Sequence, residues 1–497
     1  MHHPKTASAR FQELNAKRRG LITRCEKYAE FTVPKICLKD GYDENNVELQ
    51  HDYQSVGAQA VRHVVNKLML ALFAPSRPAM RLDLSTEAKA ELGQAGLSPN
   101  DLADVLAAAE ADAWKGIDRE AMRPKLYELM THLVVTGNCL LDVSDSEDGV
   151  RVIGIKHYVV KRNQKGKVIE VIQRDCLDFD ELVPEVQAVV PNRKPGDKVE
   201  FYRWVRYQGK KYWMTQWVDQ QLLPVKEFGG SWPEDQLPLR PLTWDLADGN
   251  DYGTGLVEDY QGDLAALSMM SKAMVEAAIM SSEFRWLVNP AGQTKPEDLR
   301  DSVNGEALPG IPGDISLVSA GTQNAVPHLQ ATAAEYINRI GRGFLLGSAV
   351  TRHAERVTAE EIRMQAEELE TSLGGAYSRI AVDLQTPLAY YLLRKINFKM
   401  NGKAITPVIV TGLDALSRNG DLANLMMFLS DLAAVDSLSP ETRQKLNLDR
   451  VVRALAAGRG LSANEYIAQG GQAAPAVEAP PPEAEAAPPP EQGAQPA

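Results

Sequence analysis

The longest helical pattern in the sequence, residues 256–287, constrains the fold more than any other feature. One face of this pattern is apolar and is formed by Val257, Tyr260, Leu264, Leu267, Met270, Met274 and Ala278. Small or apolar residues also occupy other faces, namely Ala265, Met269, Ala273, Ala277 and Met280. A helix of this length would extend ~48 Å, and a helix that is partly apolar all round needs neighbours on more than one side. The pattern therefore predicts either a central core helix or a wall helix packed between copies in a ring.

The length and composition place the chain among globular proteins. With 497 residues, two to four domains are expected. Hydrophobic residues make up 44% and charged residues 24%, as in ordinary folded domains. The start lacks the apolar run of a signal peptide, and no uncharged apolar stretch is long enough for a membrane span, so we expect neither. The four cysteines show no metal-binding spacing, which predicts reduced thiols in or near the core.

Charge and motif content argue against several functional classes. The net charge of -12 and the pI of about 5.3 predict a poor general nucleic-acid binder, because affinity for phosphates comes from Lys and Arg. The sequence contains no GxxxxGK[ST], HExxH or GxSxG motif. Pairs of carboxylates carry no information in a chain with 66 of them. We therefore predict no enzymatic activity, no catalytic residue, no metal site and no cofactor.

Hydrophobic periodicity predicts helices in the first part of the chain and two β-hairpins after them. The predicted helices span residues 10–32, 54–73, 98–117 and 124–137, the last closed by Gly137. The predicted hairpins cover residues 150–175, turning at "NQKG", and 200–218, turning at "QGKK".

Aromatic residues crowd the second predicted hairpin. They are Tyr202, Trp204, Tyr207, Tyr212, Trp213 and Trp217, interleaved with Arg203, Arg206, Lys210 and Lys211. Such a surface could stack single-stranded bases. A cross-strand aromatic ladder explains the same pattern without a ligand, and it is the interpretation that we favour.

The second half alternates between helices and irregular segments. Residues 289–319 are rich in Pro and Gly, which predicts turns and short strands, and residues 330–348 return to a helix. A further helical pattern follows Gly374 and Gly375, with its apolar face formed by Ile380, Leu384, Leu388 and Leu392. Pro387 lies within it and should kink the helix.

A short cationic loop precedes an acidic helix in the stretch "SAVTRHAERVTAEEIRMQAEELE", residues 348–370. The loop carries Arg352, His353 and Arg356. Thr358 and Glu361 have the Thr-x-x-Glu spacing of a capping box, which fixes where the loop ends and contributes ~1 kcal/mol. On these residues alone, a solvated surface loop is the simplest interpretation.

The order of these segments resembles the portal, or head-to-tail connector, family of short-tailed bacteriophages. The resemblance covers roughly residues 10–460, and its most specific part is "LLGSAVTRHAERVTAEEIRMQAEELETSLGGAYSRIAVDLQTPL". Other matching segments are "VGAQAVRHVVNKLMLALFAP", "LVVTGNCLLDV", "HYVVKRNQKGKVIEVIQRD" and "FRWLVNPAG". Two segments depart from the family pattern: residues 249–254 read Gly-Asn-Asp-Tyr-Gly-Thr in place of Gly-Glu-x-Tyr-Gly-Arg, and "APSRPAMRL" replaces a Pro-Trp pair.

The resemblance implies an α+β fold, mainly α, that assembles as a dodecameric ring with an axial channel. It implies a wing at 1–255, a descending stem helix at 256–288, a clip at 289–328, an ascending stem helix at 329–346, a channel loop at 347–357, a kinked wing helix at 358–396 and a crown at 397–469. Residues 470–497 are rich in Ala, Pro and Glu, which predicts a disordered tail.

The function implied by the resemblance is passage of double-stranded DNA, without sequence specificity, into and out of a phage head. Partners would be further copies of the chain, a terminase, a tail adaptor, the major capsid protein and scaffolding or internal core proteins. The chain would lie at the head–tail junction of the virion, and in the host cytoplasm during assembly. Arg352 and Arg356 would face the bore, with Arg356 at its narrowest point and His353 neutral and packed. The alternatives are another ring-forming virion protein, such as a tail adaptor, and a DNA-binding regulator.

Overall fold

The computed structural model describes most of the first 400 residues. The described ranges are 5–42, 52–73, 80–84, 99–144, 149–282, 284–303, 306–307, 309–319, 325–346, 372–396, 405–409 and residue 430. The chain divides into two compact units, residues 1–415 and 416–497, and every described residue except Ser430 belongs to the first. Among the described helices, none combines the length and the apolar character that a membrane span requires.

Helices and antiparallel strands alternate along the chain. The helices are α1 Ala7–Lys17, α2 Arg19–Phe31, α3 Val56–Leu72, α4 Pro99–Arg119, α5 Met122–Thr136, α6 Pro184–Gln187, α7 Val225–Phe228, α8 Leu256–Asp259, α9 Gln261–Ser282, α10 Pro296–Asp301, α11 Ala325–Gly343 and α12 Gly375–Lys395. The strands are β1 Met80–Leu84, β2 Asn138–Asp142, β3 Arg151–Ile153, β4 Tyr158–Arg162, β5 Val168–Asp178, β6 Lys198–Gln208, β7 Lys211–Val218, β8 Gln221–Leu222, β9 Gly230–Pro233, β10 Leu239–Thr243, β11 Phe284–Val288, β12 Ile315–Ser319 and β13 Ile405–Ile409. This mixed α+β content agrees with the predicted class.

The largest sheet contains both predicted hairpins. Its strands run in the order β4-β5-β6-β7-β8, and β9 also pairs with β7. The first hairpin turns around Asn163, whose side-chain oxygen accepts hydrogen bonds from the amides of Lys165 at 3.0 Å and Lys167 at 2.9 Å. The second hairpin turns at Gly209 and Lys210, both of which have positive φ. The remaining sheets are β10-β2-β3, β1-β13 and β11-β12.

The aromatic residues of the second hairpin form a cross-strand ladder. Tyr207 lies opposite Tyr212 with ring centroids 5.2 Å apart, and Tyr202 lies opposite Trp217. The side chains of Tyr202, Trp204 and Tyr212 are buried. Buried rings cannot stack on bases, so the ladder interpretation is confirmed and the stacking surface is wrong for these three residues.

Helices α2, α3, α5 and α12 share one apolar core with strands β2, β3 and β10, and we call this part of the chain the body. The apolar face predicted for α3 is buried and consists of Val61, Val64, Val65, Leu68 and Leu72. The face predicted for α12 is also buried and consists of Ile380, Leu384, Leu388 and Leu392. Helix α12 begins at Gly375, after Gly374 with φ 51° and ψ -126°, and Pro387 lies inside it.

Three predicted elements differ from the structure. The predicted helix 10–32 is two helices, because Arg18 has φ -111° and ψ 14° and ends α1. The predicted helix 256–287 is the short α8 followed by α9, which ends at Ser282; the β-prone sequence Phe-Arg-Trp-Leu-Val then forms β11, paired with β12. The helix predicted for the stem, residues 256–288, therefore ends earlier, at Ser282. The start of the predicted hairpin 150–175 is β3, which pairs with β2 instead.

A corner between α5 and β2 fixes where α8 and α9 start. Gly137 ends α5 with φ 72°, and a Cβ there would lie 2.3 Å from the carbonyl carbon of Thr254. The side chain of Asn138 donates to the carbonyl of Gly253 at 2.7 Å and accepts from its amide at 2.8 Å. Only glycine fits both the left-handed backbone and this close approach. The loop that leads into α8 is therefore bound directly to the body.

Candidate functional site

Helices α9 and α11 pack against each other, and we call them the helix pair. Both helices carry buried apolar residues, which are Leu264 and Leu267 on α9 and Ala333 and Ile340 on α11. A further stabilising contact is the ion pair between Arg339 and Asp263 at 2.6 Å.

The base of the helix pair is anchored in the body. The rings of Tyr260 and Phe344 lie 5.2 Å apart, and Phe344 is fully buried in the shared core. Gly343 makes this approach possible, since a Cβ there would lie 2.1 Å from the Tyr260 ring. Further along α9, the Ser268 hydroxyl donates a hydrogen bond to Asp52, which also accepts one from the side chain of Gln54. These contacts attach the helix pair to the body at the start of α9 and the end of α11.

Away from its base, the helix pair exposes large apolar side chains. Those on α9 are Met269 (74% exposed), Val275 (50%), Ile279 (56%) and Met280 (52%), and on α11 Ile337 is 40% exposed. Grouped exposed apolar residues mark surfaces that contact another molecule. The sequence predicted apolar residues on several faces of α9, and the structure confirms that they lie on both its buried and its exposed sides.

The segment that leads into the cationic loop is hydrogen-bonded to α3. Leu345 has a left-handed backbone, with φ 58°, at the end of α11. Its carbonyl oxygen accepts hydrogen bonds from Nε2 of His63 at 2.9 Å and Nζ of Lys67 at 3.4 Å. The amide of Leu346 donates to the carbonyl of Gly341 at 2.7 Å. The chain therefore enters the loop from a fixed point on the body.

Sequence reasoning missed this anchor because it considered only the capping box on the other side of the loop. A signal was available, since His63 and Lys67 lie four residues apart in α3 and therefore on the same side of the helix. Lys67 is 2% exposed, and a buried lysine requires polar partners. Their spacing indicates a shared polar contact but does not identify Leu345 as the acceptor.

The predicted loop residues and their cap lie outside the described residues, and the statements about them remain predictions; they are Arg352, His353, Arg356, Thr358 and Glu361. The three predicted helix-breaking positions are described. Gly374 and Gly375 lie at the start of α12, and Pro387 lies within it.

The described residues offer little for covalent or metal chemistry. They include no group of three or more His, Cys, Asp and Glu side chains that could hold a metal ion. Burial raises the pKa of the Cys25 thiol to about 12 and that of Cys37 to about 11, which keeps both as inert thiols. Cys139 is also buried, whereas Cys176 is exposed, so the predicted core location is wrong for Cys176.

Comparisons with known proteins match nearly the whole chain. The sequence model of a family described as "Bacteriophage head to tail connecting protein" matches residues 4–467. The portal protein of Enterobacteria phage SP6 is 32% identical over 441 residues, which cover 88% of this chain and 84% of that protein. The portal protein of Escherichia phage T7 is 32% identical over 446 residues, which cover 86% and 82%. A chain from the neck of an empty GTA particle, computed with C6 symmetry, is 13% identical with a TM-score of 0.39, covering 82% of this chain and 90% of that one.

Proposed function

Because the chain belongs to the family of bacteriophage head-to-tail connecting proteins, we propose that it assembles into a portal ring through which double-stranded DNA enters and leaves a phage head. The match from residue 4 to residue 467 carries this proposal, because it includes nearly every segment that the function requires. Its function is that of a portal, located at the head–tail junction of the virion.

The exposed apolar surface of the helix pair supports assembly into a ring. A single copy leaves Met269, Ile279 and Met280 more than half exposed. Burial of apolar surface stabilises by about 25 cal/mol per Å², so neighbouring copies that cover these side chains would stabilise each other. In a closed ring each copy has two neighbours, which suits a helix with apolar residues on several faces. We propose twelve copies, the number implied by the family.

The charge distribution supports passage of DNA rather than tight binding. A chain with net charge -12 carries more carboxylates than cations, so a duplex would be repelled overall and would slide rather than bind tightly. The proposed exception is the channel loop, residues 347–357. Repeated around a ring, Arg352 and Arg356 would form a collar of positive charge, with the acidic helix capped by Thr358 and Glu361 behind it. His63 and Lys67 support this arrangement because they hold the loop's entry point.

The proposed partners follow from the position of a portal. A terminase would dock on the clip, residues 289–328, during packaging, and a tail adaptor would replace it afterwards. The major capsid protein and scaffolding or internal core proteins would surround the ring, which would assemble in the host cytoplasm. The wing, stem and crown boundaries remain part of this proposal, and no catalytic residue or cofactor enters it.

Electron microscopy of the purified full chain tests the assembly. We expect rings of about twelve copies with a central hole wide enough for a DNA duplex. A population of single chains or dimers, at concentrations where the apolar surface should be covered, would contradict the proposal.

The channel loop has its own test. Arg356→Ala should leave the ring assembled and widen its narrowest point in a reconstruction. Arg193→Ala is the matched control, because Arg193 is a partly exposed arginine that pairs with Asp219 in β7–β8 and lies far along the chain from the loop. An unchanged bore in Arg356→Ala would remove the loop from the constriction while leaving the portal function intact.

A further inference from the structure

Helix α11 ends in a backbone turn that normally has glycine at its critical position. The amide of Leu346 donates to the carbonyl of Gly341 at 2.7 Å, and the amide of Leu345 donates to the carbonyl of Arg342 at 3.2 Å. These two hydrogen bonds form a Schellman motif, in which the residue after the helix cap has a left-handed backbone. Leu345 takes this position, with φ 58°. The chain therefore leaves α11 through a left-handed leucine.

A leucine is a strained choice for this position. In the left-handed conformation a Cβ lies too close to the following carbonyl oxygen, and glycine avoids this contact because it has no Cβ. Among other residues, Asn and Asp tolerate the conformation best. Strain of this kind persists only where the surrounding contacts hold the residue in place. The contacts of Leu345 therefore decide whether the turn keeps its shape.

Two kinds of contact hold Leu345. Its side chain is buried in the apolar core of the body. Its carbonyl oxygen accepts hydrogen bonds from Nε2 of His63 at 2.9 Å and from Nζ of Lys67 at 3.4 Å. The direction of this carbonyl depends on the backbone dihedral angles of Leu345, so the two hydrogen bonds favour one conformation of the turn. Both donors lie on α3, which is itself packed in the core.

Lys67 is an unusual residue for the buried side of α3. Its neighbours on that side, Val64 and Leu68, are fully buried apolar residues, and an apolar residue would suit the same core. A buried ammonium needs polar partners, and the carbonyl of Leu345 is one of them. The lysine thus connects the core of α3 to the end of α11.

We propose that Leu345, His63 and Lys67 are positioning residues for the channel loop, an inference that rests on the proposed portal function. Leu345 sets the direction in which the chain leaves α11, and the two donors hold it in a conformation that a leucine otherwise avoids. The channel loop then starts from the same point and in the same direction in every copy. A ring needs this uniformity, because a constriction forms only if all copies present the loop alike.

Hydrogen exchange of the full chain, dispersed to single copies, tests the turn without a ring. The readout is the peptide covering residues 341–346, which includes the amides that form the turn. His63→Leu combined with Lys67→Met removes both donors, so exchange should become roughly tenfold faster. Arg62→Met is the matched control, because Arg62 is an exposed cation on the same helix, and it should leave the exchange rate unchanged. Unchanged exchange in the double variant would overturn the proposal.

A glycine at position 345 separates positioning of the turn from a general loss of packing in α3. Leu345→Gly added to the double variant should restore most of the slow exchange, because glycine adopts the left-handed conformation without strain. A glycine at this position cannot repair damage to the core of α3. Exchange that stays fast in the triple variant would therefore overturn the proposal.

A second pair of variants keeps both donors and does not depend on the double variant folding. Leu345→Asn and Leu345→Val both shorten the side chain, but asparagine tolerates a left-handed backbone and valine does not. Exchange of the same peptide should be roughly tenfold faster in Leu345→Val than in Leu345→Asn. Equal exchange in the two variants would show that the left-handed conformation does not matter for the turn.

Reconstructions of the assembled protein connect the turn with the channel loop. Leu345→Val should leave the ring assembled but displace the start of the loop and change the width of the narrowest point, whereas Leu345→Asn should preserve both. A bore that is identical in the two variants would refute the positioning role while leaving the portal function intact. Absence of a ring in the unaltered chain would refute the portal function and the role in a channel, whereas the exchange experiments would still show whether His63 and Lys67 hold the turn.

Discussion

The body buries the predicted apolar faces of its helices, whereas the helix pair leaves a group of large apolar side chains exposed. In the body, the apolar face of α3 is covered by other parts of the same chain, and Val61 and Leu68 have no exposed surface. In the helix pair, Met269 is 74% exposed and Ile279 is 56% exposed. Both regions are helical and rich in apolar residues, so composition does not distinguish them. The body therefore covers the apolar faces of its helices within one copy, whereas the helix pair leaves apolar surface exposed in one copy, and we propose that another copy covers it.

The ion pairs of the two regions differ in the same way. Arg203, on β6 of the largest sheet, and Asp142, on β2 of the body, form a pair whose side chains are 11% and 5% exposed. Arg339 and Asp263 connect the two helices of the pair with side chains 56% and 26% exposed. Water screens the second pair and not the first. In a single copy, water therefore reaches the ion pair between the two helices as well as the exposed apolar side chains.

Removal of one arginine from each ion pair should give the largest contrast. Arg203→Met leaves the Asp142 carboxylate buried without its cation, and we expect a loss of about 3–5 kcal/mol in the free energy of unfolding. Arg339→Met removes a hydrated pair and should cost less than about 1 kcal/mol. Urea denaturation of dispersed chains measures both. Equal losses in the free energy of unfolding would mean that water is excluded from the Arg339–Asp263 pair as fully as from the Arg203–Asp142 pair.

Truncation of apolar side chains should give a similar contrast. Leu68→Ala creates a cavity in the body and should cost about 2–5 kcal/mol of unfolding free energy. Met269→Ala changes a side chain that is mostly in water, so a single copy should lose no more than about 0.5 kcal/mol. The same denaturation experiment applies to both variants. A loss above 2 kcal/mol for Met269→Ala in dispersed chains would contradict the assignment of its surface to contacts between copies.

Burial in the body should also appear in the pH dependence of stability. Burial, with a smaller effect of His157, lowers the pKa of His132 from 6.5 to about 4. The folded chain therefore favours neutral His132, and its contribution is complete above pH 6.5 and is lost as the pH falls towards 4. A difference of this size corresponds to about 3 kcal/mol. In His132→Gln this part of the pH dependence should be absent, as measured by denaturation between pH 4 and 7. Identical pH profiles for the two proteins would show that His132 titrates normally.

The elements with a strong periodic pattern could be predicted from the sequence. Helices α3 and α12 have apolar residues at helical spacing, and their predicted faces are buried. The second hairpin follows from its turn residues and its alternating aromatics. These patterns are local, so the sequence carries them without knowledge of the partner elements.

The breaks between elements could not be predicted, because they depend on distant contacts. Helix α9 ends at Ser282, and residues 284–288 pair with β12, about 30 residues further on. The break at Arg18 carries no Pro, and it is stabilised by Asn15. A helical pattern alone continues through both positions.

The candidate site was predicted only in part. The sequence identified α9 as a helix with apolar residues on several faces, and it identified the cationic loop. It did not show that Leu345 is held by His63 and Lys67, since these residues lie far from it in the chain.

One pair of substitutions tests the central claim, that the helix pair forms the contact between copies. Val275 and Val382 are both valines within helices, 50% and 51% exposed, but Val275 lies in the helix pair and Val382 in α12 of the body. Val275→Asp and Val382→Asp therefore add the same charge, and both leave the intrinsic helix propensity nearly unchanged. Sedimentation velocity of the full chains should show Val382→Asp assembled like the wild type and Val275→Asp mostly as single copies. Assembly of Val275→Asp to the wild-type size would contradict the claim.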